Sequence, residues 1–328
     1  MKPSYYLTVL SAHAVLLLCT STVLGQQGYR PQDQEFEAVP AVIKRADKKH
    51  RSLFHRPDRD TPTEQLALAI EKEKAGRLRK AKDVYDDLVH HWHDSREAPK
   101  AQFALARVLF EQGKYEKSFK AFQYLVDHYA GRFKYNEALD YQHRIANQIM
   151  NDRWGDVLFM PGFEAPERAL PMLNKIIMNA PNWDKAPGVR LTIGLIHEEL
   201  KDYEEAVVAY DAVEENHAGS SEAEKAAFRK AHCLFILSEK TPRDEKRCRT
   251  ALSALASFLA HHKQSPNRAE AEEYLASLKT RLSRMYYDRA YFYDAVSKRP
   301  AAALIAYRDF LKKFPASEMA QDVYTRIE

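Results

Sequence analysis

A three-residue pattern recurs six times along the chain and constrains its fold more than any other feature. A small residue is followed four positions later by an aromatic or large apolar residue, and three positions further on by another apolar residue. These offsets place the three side chains on one face of a helix, where the small residue lets a second helix approach closely. The pattern therefore predicts stacked helix pairs. The copies are Ala81, Tyr85, Leu88; Ser118, Phe122, Leu125; Ala169, Leu173, Ile176; Ala206, Tyr210, Val213; Ala251, Leu255, Phe258; and Ala303, Tyr307, Phe310.

An apolar-periodic segment and a short break precede each copy. The clearest breaks are Gly113-Lys114-Tyr115 and Asp202-Tyr203. A helix, a break and a second helix are typical of the tetratricopeptide repeat, whose unit is about 34 residues, and longer spacings here indicate inserts. Only 10 glycines occur in 328 residues, which favours helices over a turn-rich all-β fold. We therefore predict an all-α fold, an α-solenoid of about six helix pairs over residues 61–328.

The first 25 residues have the pattern of a secretory signal peptide. Lys2 is followed by an apolar stretch at residues 7–18 and by a cleavage site at Val23-Leu24-Gly25. The apolar stretch is well short of the roughly 20 residues that a membrane-spanning helix needs. Cys19 leaves two alternatives open, plain cleavage or attachment of a lipid, although three leucines precede it. We expect an exported protein in the periplasm.

Residues 26–60 are predicted to form a flexible basic linker. The segment is polar, contains three prolines and shows no helical apolar periodicity. Residues 44–59 carry seven lysines and arginines against two aspartates. This excess indicates either a solvated linker or contact with anionic lipid or an acidic protein, and we expect no nucleic-acid partner.

Two cysteines remain after the expected cleavage site, Cys233 and Cys248. An oxidising compartment would allow a disulfide between them, which would stabilise the fold by roughly 3 kcal/mol for a loop of this length. Two buried free thiols on adjacent helices are the alternative, because spacing alone does not show that the Cα atoms are close enough.

A protein-binding face is predicted on the first helices of the first two units, on the concave side of the solenoid. Apolar side chains mixed with cations suit an extended segment that bears aromatic residues and a carboxylate. For Phe103 and Phe110, packing in the core is the alternative. The candidate residues are Leu66, Ile70, Lys74, Lys100, Phe103, Arg107 and Phe110.

No convincing catalytic or metal-binding pattern is present in the sequence. His90 and His93 have a spacing that suits chelation, but no third ligand is nearby. His197 lacks the second histidine of a zinc-protease helix, and no glycine-rich phosphate loop occurs. We therefore predict no catalytic residues, no metal and no cofactor.

The repeat pattern resembles that of the BamD family of outer-membrane assembly factors at three places. Residues 62–129 are similar to the first two helix pairs of that family, and Tyr141 with the insert before Ala169 is similar to its interrupted third repeat. The third place is Leu278-Lys279-Thr280-Arg281-Leu282, followed by Tyr286, Ala290, Phe292, Tyr293, Ala303, Tyr307, Phe314, Pro315 and Ser317.

The resemblance implies a function on the periplasmic side of the outer membrane, next to the partner that inserts β-barrel proteins. It implies that the amino-terminal repeats receive unfolded barrel precursors and that the carboxy-terminal repeats dock on the insertase. Arg281 matches the family arginine that contacts the insertase; a solvent-facing helix arginine is the alternative. A soluble periplasmic coordinator of cell-wall or polysaccharide machinery, built from the same repeats, is the alternative function.

Overall fold

The computed structural model describes residues 56–154 and 163–328, which belong to one unit of the chain, residues 37–328. The expected signal peptide, Cys19 and most of the expected linker lie outside the described residues. The helices of the described part are α1 (Pro62–Lys74), α2 (Leu78–His91), α3 (Ala98–Glu111), α4 (Tyr115–His128), α5 (Tyr135–Asn151), α6 (Leu170–Asn179), α7 (Ala186–Glu199), α8 (Tyr203–His217), α9 (Ala223–Lys240), α10 (Glu245–His261), α11 (Arg268–Tyr291), α12 (Pro300–Lys313) and α13 (Ala320–Ile327).

Consecutive helices pack against one another from α1 to α12, so that they form six pairs. In the third pair a 3₁₀ turn, Pro166–Ala169, precedes α6, and in the sixth a π-helical turn, Phe292–Val296, follows α11. Two short strands, β1 (Arg153–Trp154) and β2 (Phe163–Glu164), pair antiparallel between α5 and the 3₁₀ turn. The prediction of an all-α solenoid of six helix pairs is confirmed, and α13 adds a helix that the pattern did not predict.

The core follows the repeated pattern. Every one of the 18 pattern residues is buried, and none is more than 4% exposed. Because the small residues Ala81 and Ala206 are fully buried where the second helix meets the first, a larger side chain would not fit there. The pattern thus places the second helix of each pair against its neighbours.

Buried glutamines tie first helices to second helices in the amino-terminal half. The side-chain amide of Gln65 donates to the carbonyl oxygen of Val84 at 3.3 Å, and that of Gln102 donates to the carbonyl oxygen of Ala121 at 2.8 Å. Both side chains are almost completely buried. A buried amide stays in the core only when it is hydrogen-bonded, so these contacts fix the register of each pair.

The tight turns of the first, second and fourth pairs each contain a left-handed residue. Gly76 and Gly113 both have φ of 69°, and Lys201 adopts φ of 65° at the corresponding turn between α7 and α8. In each turn two backbone N–H groups reach back to carbonyl oxygens in the last turn of the preceding helix. Glycine adopts this conformation without a steric penalty, whereas a lysine that adopts it incurs one.

The two cysteines are not paired in the structure. Cys233 is buried with Ala206, Tyr210 and Val213, whereas Cys248 belongs to the carboxy-terminal core, where its Sγ lies 3.7 Å from the carbonyl oxygen of Leu278. The two thiols therefore face different parts of the core on α9 and α10. The disulfide alternative is not what the structure shows; both residues are buried free thiols.

Candidate protein-binding face

A carboxylate at the end of a first helix joins its own pair to the next one. The hydroxyl of Tyr85 on α2 donates to Glu73 on α1 at 2.6 Å, and the guanidinium of Arg107 on α3 forms an ion pair with the same carboxylate. Burial raises the pKa of Tyr85, and the neighbouring carboxylate raises it further. The tyrosine therefore stays a donor, and Glu73 connects three helices.

The same arrangement recurs in the fourth pair. Glu198 on α7 accepts from the hydroxyl of Tyr210 at 2.8 Å, and it pairs with Arg229 at 3.1 Å and with His232 at 3.2 Å on α9. Burial acts to raise the pKa of Glu198, but the hydrogen bonds from His232 and Tyr210 and the charge of Arg229 outweigh it, so the pKa is lowered. The carboxylate is held in its charged form.

A third copy lies at the end of the described chain. Asp294 accepts from the hydroxyl of Tyr307 at 3.1 Å, and Arg326 on α13 lies 3.3 Å from the same oxygen. The additional helix α13 thus supplies the cation that the next first helix supplies elsewhere. Helix α13 therefore packs on the sixth pair through the same kind of contact, an arginine beside a tyrosine-bound carboxylate.

In the second pair an aromatic ring takes the position of the carboxylate. Phe110 on α3 lies 34 residues before Arg144 on α5, which is also the separation of Glu73 and Arg107. The guanidinium of Arg144 lies 4.8 Å from the Phe110 ring centre and 5.1 Å from the Tyr141 ring centre. Because Phe122 carries no hydroxyl, a cation–π contact replaces the hydrogen-bonded carboxylate.

Phe103 and Phe110 belong to this aromatic layer. Phe103 packs edge-on against Phe122 and Tyr141, with ring centres 5.3 and 6.0 Å apart, and Phe110 packs against Tyr141 at 5.7 Å. Tyr141 stacks on Phe122 at 5.0 Å. Neither phenylalanine is fully buried. Each of the two phenylalanines is therefore packed in the core on one side, as the alternative predicted, and is partly exposed to solvent on the other.

The seven candidate residues divide by exposure. Three are exposed, namely Ile70, Lys74 and Lys100. Four are half-buried, namely Leu66, Phe103, Arg107 and Phe110. Arg107 is occupied by its ion pair with Glu73 and lies 3.7 Å from Glu111, so its charge is already compensated within the chain. Binding of a client by these residues stays a prediction.

A groove of about 350 Å³ continues this surface on the third pair, and its lining includes Asp140, Tyr141, His143, Arg144 and Lys185. Lys185 pairs with Asp140 at 2.5 Å, while Arg144 is exposed above the aromatic layer. Burial and the charge of Lys185 lower the pKa of His143. The groove therefore offers an aromatic wall with an accessible guanidinium. We call Ile70, Phe103, Phe110, Tyr141 and Arg144 the amino-terminal face.

Sequence reasoning missed Arg144 and Lys185. The signal that could have found Arg144 is its 34-residue separation from Phe110, one repeat unit, which places a cation beside an aromatic ring on the next first helix. Lys185 carries no comparable signal, because it lies in the loop before α7 and meets Asp140 through the packing of the third and fourth pairs.

Arg281 is half-buried on α11 and contacts the end of α9. Its Nη1 donates to the backbone oxygen of Ser238 at 3.0 Å and to the hydroxyl oxygen of the same residue at 3.1 Å, and its other nitrogen pairs with Glu239. These groups form the last turn of α9, where a cation satisfies free carbonyl oxygens and the negative end of the helix. Contact with a partner stays a prediction, and the alternative of a solvent-facing arginine is not what the structure shows.

A second groove, of about 420 Å³, lies between α11 and α12. Its walls include Tyr286, Arg289, Tyr293 and Ile305. The ring of Tyr286 is surrounded by cations: Arg289 lies 4.9 Å and Lys313 4.6 Å from its centre. Apolar surface and positive charge therefore occur together near the carboxy-terminal end of the described chain.

Within residues 56–154 and 163–328, no group of three histidine, cysteine, aspartate or glutamate side chains is placed to hold a metal ion. In the same part of the chain, no helix combines the length and the apolar character that spanning a membrane requires.

Family models match both halves of the chain. Residues 66–132 match the tetratricopeptide repeat, so the helix pairs described above belong to a tetratricopeptide repeat protein. Residues 167–327 match YfiO, which is described as an outer membrane lipoprotein. The chain is therefore a BamD-like tetratricopeptide repeat protein, and its fold and family support an adaptor role in which it binds other proteins.

Several solved structures are similar to the chain at low identity. A tetratricopeptide repeat protein from Parabacteroides merdae is 14% identical, with 81% of this chain and 98% of that chain covered and a TM-score of 0.32. The C-terminal part of a TPR repeat-containing protein from Cytophaga hutchinsonii is 15% identical, with coverages of 81% and 88% and a TM-score of 0.33. Pseudomonas aeruginosa PilF is 14% identical, with coverages of 80% and 96% and a TM-score of 0.27. No curated protein matches the chain.

Proposed function

We propose that the chain is a periplasmic adaptor that assists the assembly of β-barrel proteins into the outer membrane. In this function the amino-terminal repeats hold an unfolded barrel precursor, and the carboxy-terminal repeats bind the insertion machinery. The observation that carries the proposal is the match of residues 167–327 to an outer membrane lipoprotein family. The pattern of an export signal at residues 1–25 supports it from the sequence.

The amino-terminal face supports the client-binding half of the proposal. Phe103, Phe110 and Tyr141 present partly exposed rings, and Arg144 lies over two of them with its guanidinium exposed. Aromatic rings and a guanidinium together bind extended segments with aromatic side chains and carboxylates. The face holds its shape because Phe103 and Phe110 are packed against Phe122 and Tyr141, so binding does not require it to reorganise.

The carboxy-terminal groove supports the partner-binding half. Arg249 and Arg289 share the carboxylate of Glu245, at 2.8 and 2.6 Å, so the guanidinium charge beside Tyr286 exceeds the carboxylate charge. A partner segment with an apolar side chain and a carboxylate complements this groove. Arg281 acts indirectly in this proposal, since it positions the end of α9.

Recovery of the tagged full-length chain from detergent-solubilised membranes tests the proposal. The barrel-insertion partner is expected to copurify and to be identified by mass spectrometry. Recovery without any such partner would contradict the specific function. Copurification with cell-wall or polysaccharide enzymes, from a freely soluble pool, would favour the alternative of a soluble periplasmic coordinator.

A single variant tests client binding separately from binding of the insertion partner. Arg144→Gln removes the exposed guanidinium and leaves the aromatic layer, so we expect weaker binding of peptides from unfolded barrel proteins and unchanged recovery of the insertion partner. The control Arg284→Gln removes a surface arginine that pairs only with Asp288 at 2.8 Å among the described carboxylates. Equal peptide affinity for both variants would show that Arg144 is not part of the client site.

A further inference from the structure

The turns of the first two helix pairs carry a local excess of positive charge. Residues 74–82 and 114–120 contain eight lysines and arginines and a single carboxylate, Glu116. Seven of the eight cations are exposed, and Lys82 is half-buried. We call this set the basic edge: Lys74, Arg77, Arg79, Lys80, Lys82, Lys114, Lys117 and Lys120.

The two turns lie side by side. α1 and α2 are joined at residues 75–77, α3 and α4 are joined at residues 112–114, and α2 packs against α3. The ion pair between Glu73, in the last turn of α1, and Arg107, near the end of α3, shows that these two helices end at the same side of the stack. The cations of the two turns therefore lie at the same side of the stack.

Most of this charge is not neutralised within the chain. Lys82 forms an ion pair with Asp83 at 2.7 Å. Across the described residues, the other seven cations of the edge form no ion pair. The single carboxylate of the edge, Glu116, already lies 3.6 Å from Arg168. The edge therefore presents a net field to an external anion.

A basic turn is not a general property of these repeats. The residues of the fourth pair that correspond to 74–82 are residues 199–207, and they carry four carboxylates and one lysine. The same backbone turn is thus built with opposite charge elsewhere in the chain. Repeat geometry does not explain the basic edge.

The shape and composition of the edge fit a flat anionic surface better than a peptide. Six of the eight cations are lysines, whose ammonium groups attract charge without the paired geometry that arginine offers to a carboxylate. The tips of the turns are open, since a β-carbon on Gly76 or Gly113 would meet no atom within 4 Å. Clusters of about four to eight basic side chains bind anionic lipid surfaces.

We infer that the basic edge binds the anionic headgroups of a lipid bilayer and orients the amino-terminal repeats against the membrane surface. The inference rests on the charge and placement of these residues and not on the proposed function. Residues 44–59 of the expected linker are basic as well. The experiment therefore changes only the edge.

Sedimentation of the full chain with vesicles tests the inference. The vesicles contain phosphatidylcholine alone or a mixture of phosphatidylcholine with phosphatidylglycerol. The edge variant carries Arg79→Gln, Lys80→Gln, Lys117→Gln and Lys120→Gln. The matched control removes four exposed cations of the carboxy-terminal pairs by Lys246→Gln, Lys263→Gln, Lys279→Gln and Lys312→Gln. Far-ultraviolet circular dichroism and thermal unfolding verify that both variants are folded.

We expect the wild type and the control to bind the phosphatidylglycerol vesicles and not the neutral ones, with binding that weakens as salt is added. The edge variant is expected to partition at least about tenfold less onto the anionic vesicles. Equal loss in the edge variant and the control, or equal binding to neutral vesicles, would overturn the inference. If the wild type binds polyglutamate but neither type of vesicle, the edge binds an acidic protein instead of lipid.

Discussion

Gly194 on α7 faces the ring of Tyr210 on α8 so closely that a β-carbon at position 194 would lie 2.6 Å from the Cδ1 of that ring. Real contacts of this kind do not occur, so Tyr210 is placed by the absence of a side chain at Gly194. The ring in turn carries the hydroxyl that reaches Glu198. The contact between the fourth and fifth pairs therefore depends on this glycine.

Replacement of Gly194 by alanine is expected to lower the free energy of unfolding by about 1–3 kcal/mol, because the added methyl group overpacks the helix contact. Chemical denaturation measures the change. Gly188→Ala on the same helix is the control, since its β-carbon would come no closer than 3.9 Å to the Glu222 carboxylate. A larger loss at Gly188 than at Gly194 would contradict the packing described here.

Removal of the Tyr210 hydroxyl tests its hydrogen bond to Glu198. Tyr210→Phe is expected to lower the free energy of unfolding by about 1.5–3 kcal/mol, because a hydrogen bond to a charged carboxylate is lost in a buried position. Tyr115→Phe serves as the control, since the Tyr115 hydroxyl makes no hydrogen bond within the described residues. Equal free energies of unfolding for the two variants would show that the hydrogen bond from Tyr210 to Glu198 does not stabilise the fold.

The left-handed turns predict opposite effects at two positions. Lys201→Gly is expected to raise the free energy of unfolding by about 1 kcal/mol, because glycine adopts the positive φ of this turn without a penalty. Gly113→Ala is expected to lower it by a similar amount for the same reason. Thermal unfolding followed by circular dichroism measures both, and a shift in the same direction for both variants would contradict the assignment of the turns.

Glu245 predicts a component of stability that disappears in acid. Partial burial acts to raise its pKa, but hydrogen bonds from Tyr286, Arg289 and Arg249 outweigh it and lower the pKa to about 2. Because the folded pKa lies below the ordinary value of 4.5, the contribution is fully present above that value and is lost as the pH falls toward about 2.

Comparison of wild type and Glu245→Gln isolates this component. The wild type is expected to be more stable at neutral pH, and the difference is expected to shrink as the pH falls below 4.5. Urea denaturation across this pH range gives the two curves. A difference that stays constant, or that grows in acid, would contradict the depressed pKa.

The helix pairs could be predicted because their signal is local. Ala303, Tyr307 and Phe310 lie within two turns of one helix, so their spacing alone places them on one buried face. The π-helical turn at Phe292–Val296 and helix α13 carry no copy of the pattern, and they were not predicted.

The contacts of the candidate binding residues could be predicted only in part. Ile70 and Phe103 follow from helical spacing, but the roles of Arg107 and Arg281 depend on partners 34 and 42 residues away, Glu73 and Glu239. Such contacts are set by how successive pairs pack, which spacing within one helix does not determine. The partner contact of Arg281, which the family resemblance implies, stays a prediction, and its ion pair with Glu239 could not be predicted from spacing.

Site-specific photo-crosslinking tests the adaptor function most directly. A photoreactive amino acid at Ile70 on the amino-terminal face is compared with one at Val208, which is 69% exposed on α8 and lies outside the proposed sites. In cells that export barrel proteins, position 70 is expected to crosslink to unfolded barrel precursors and position 208 is not. Absence of barrel precursors among the products at position 70, or equal labelling at both positions, would contradict the account.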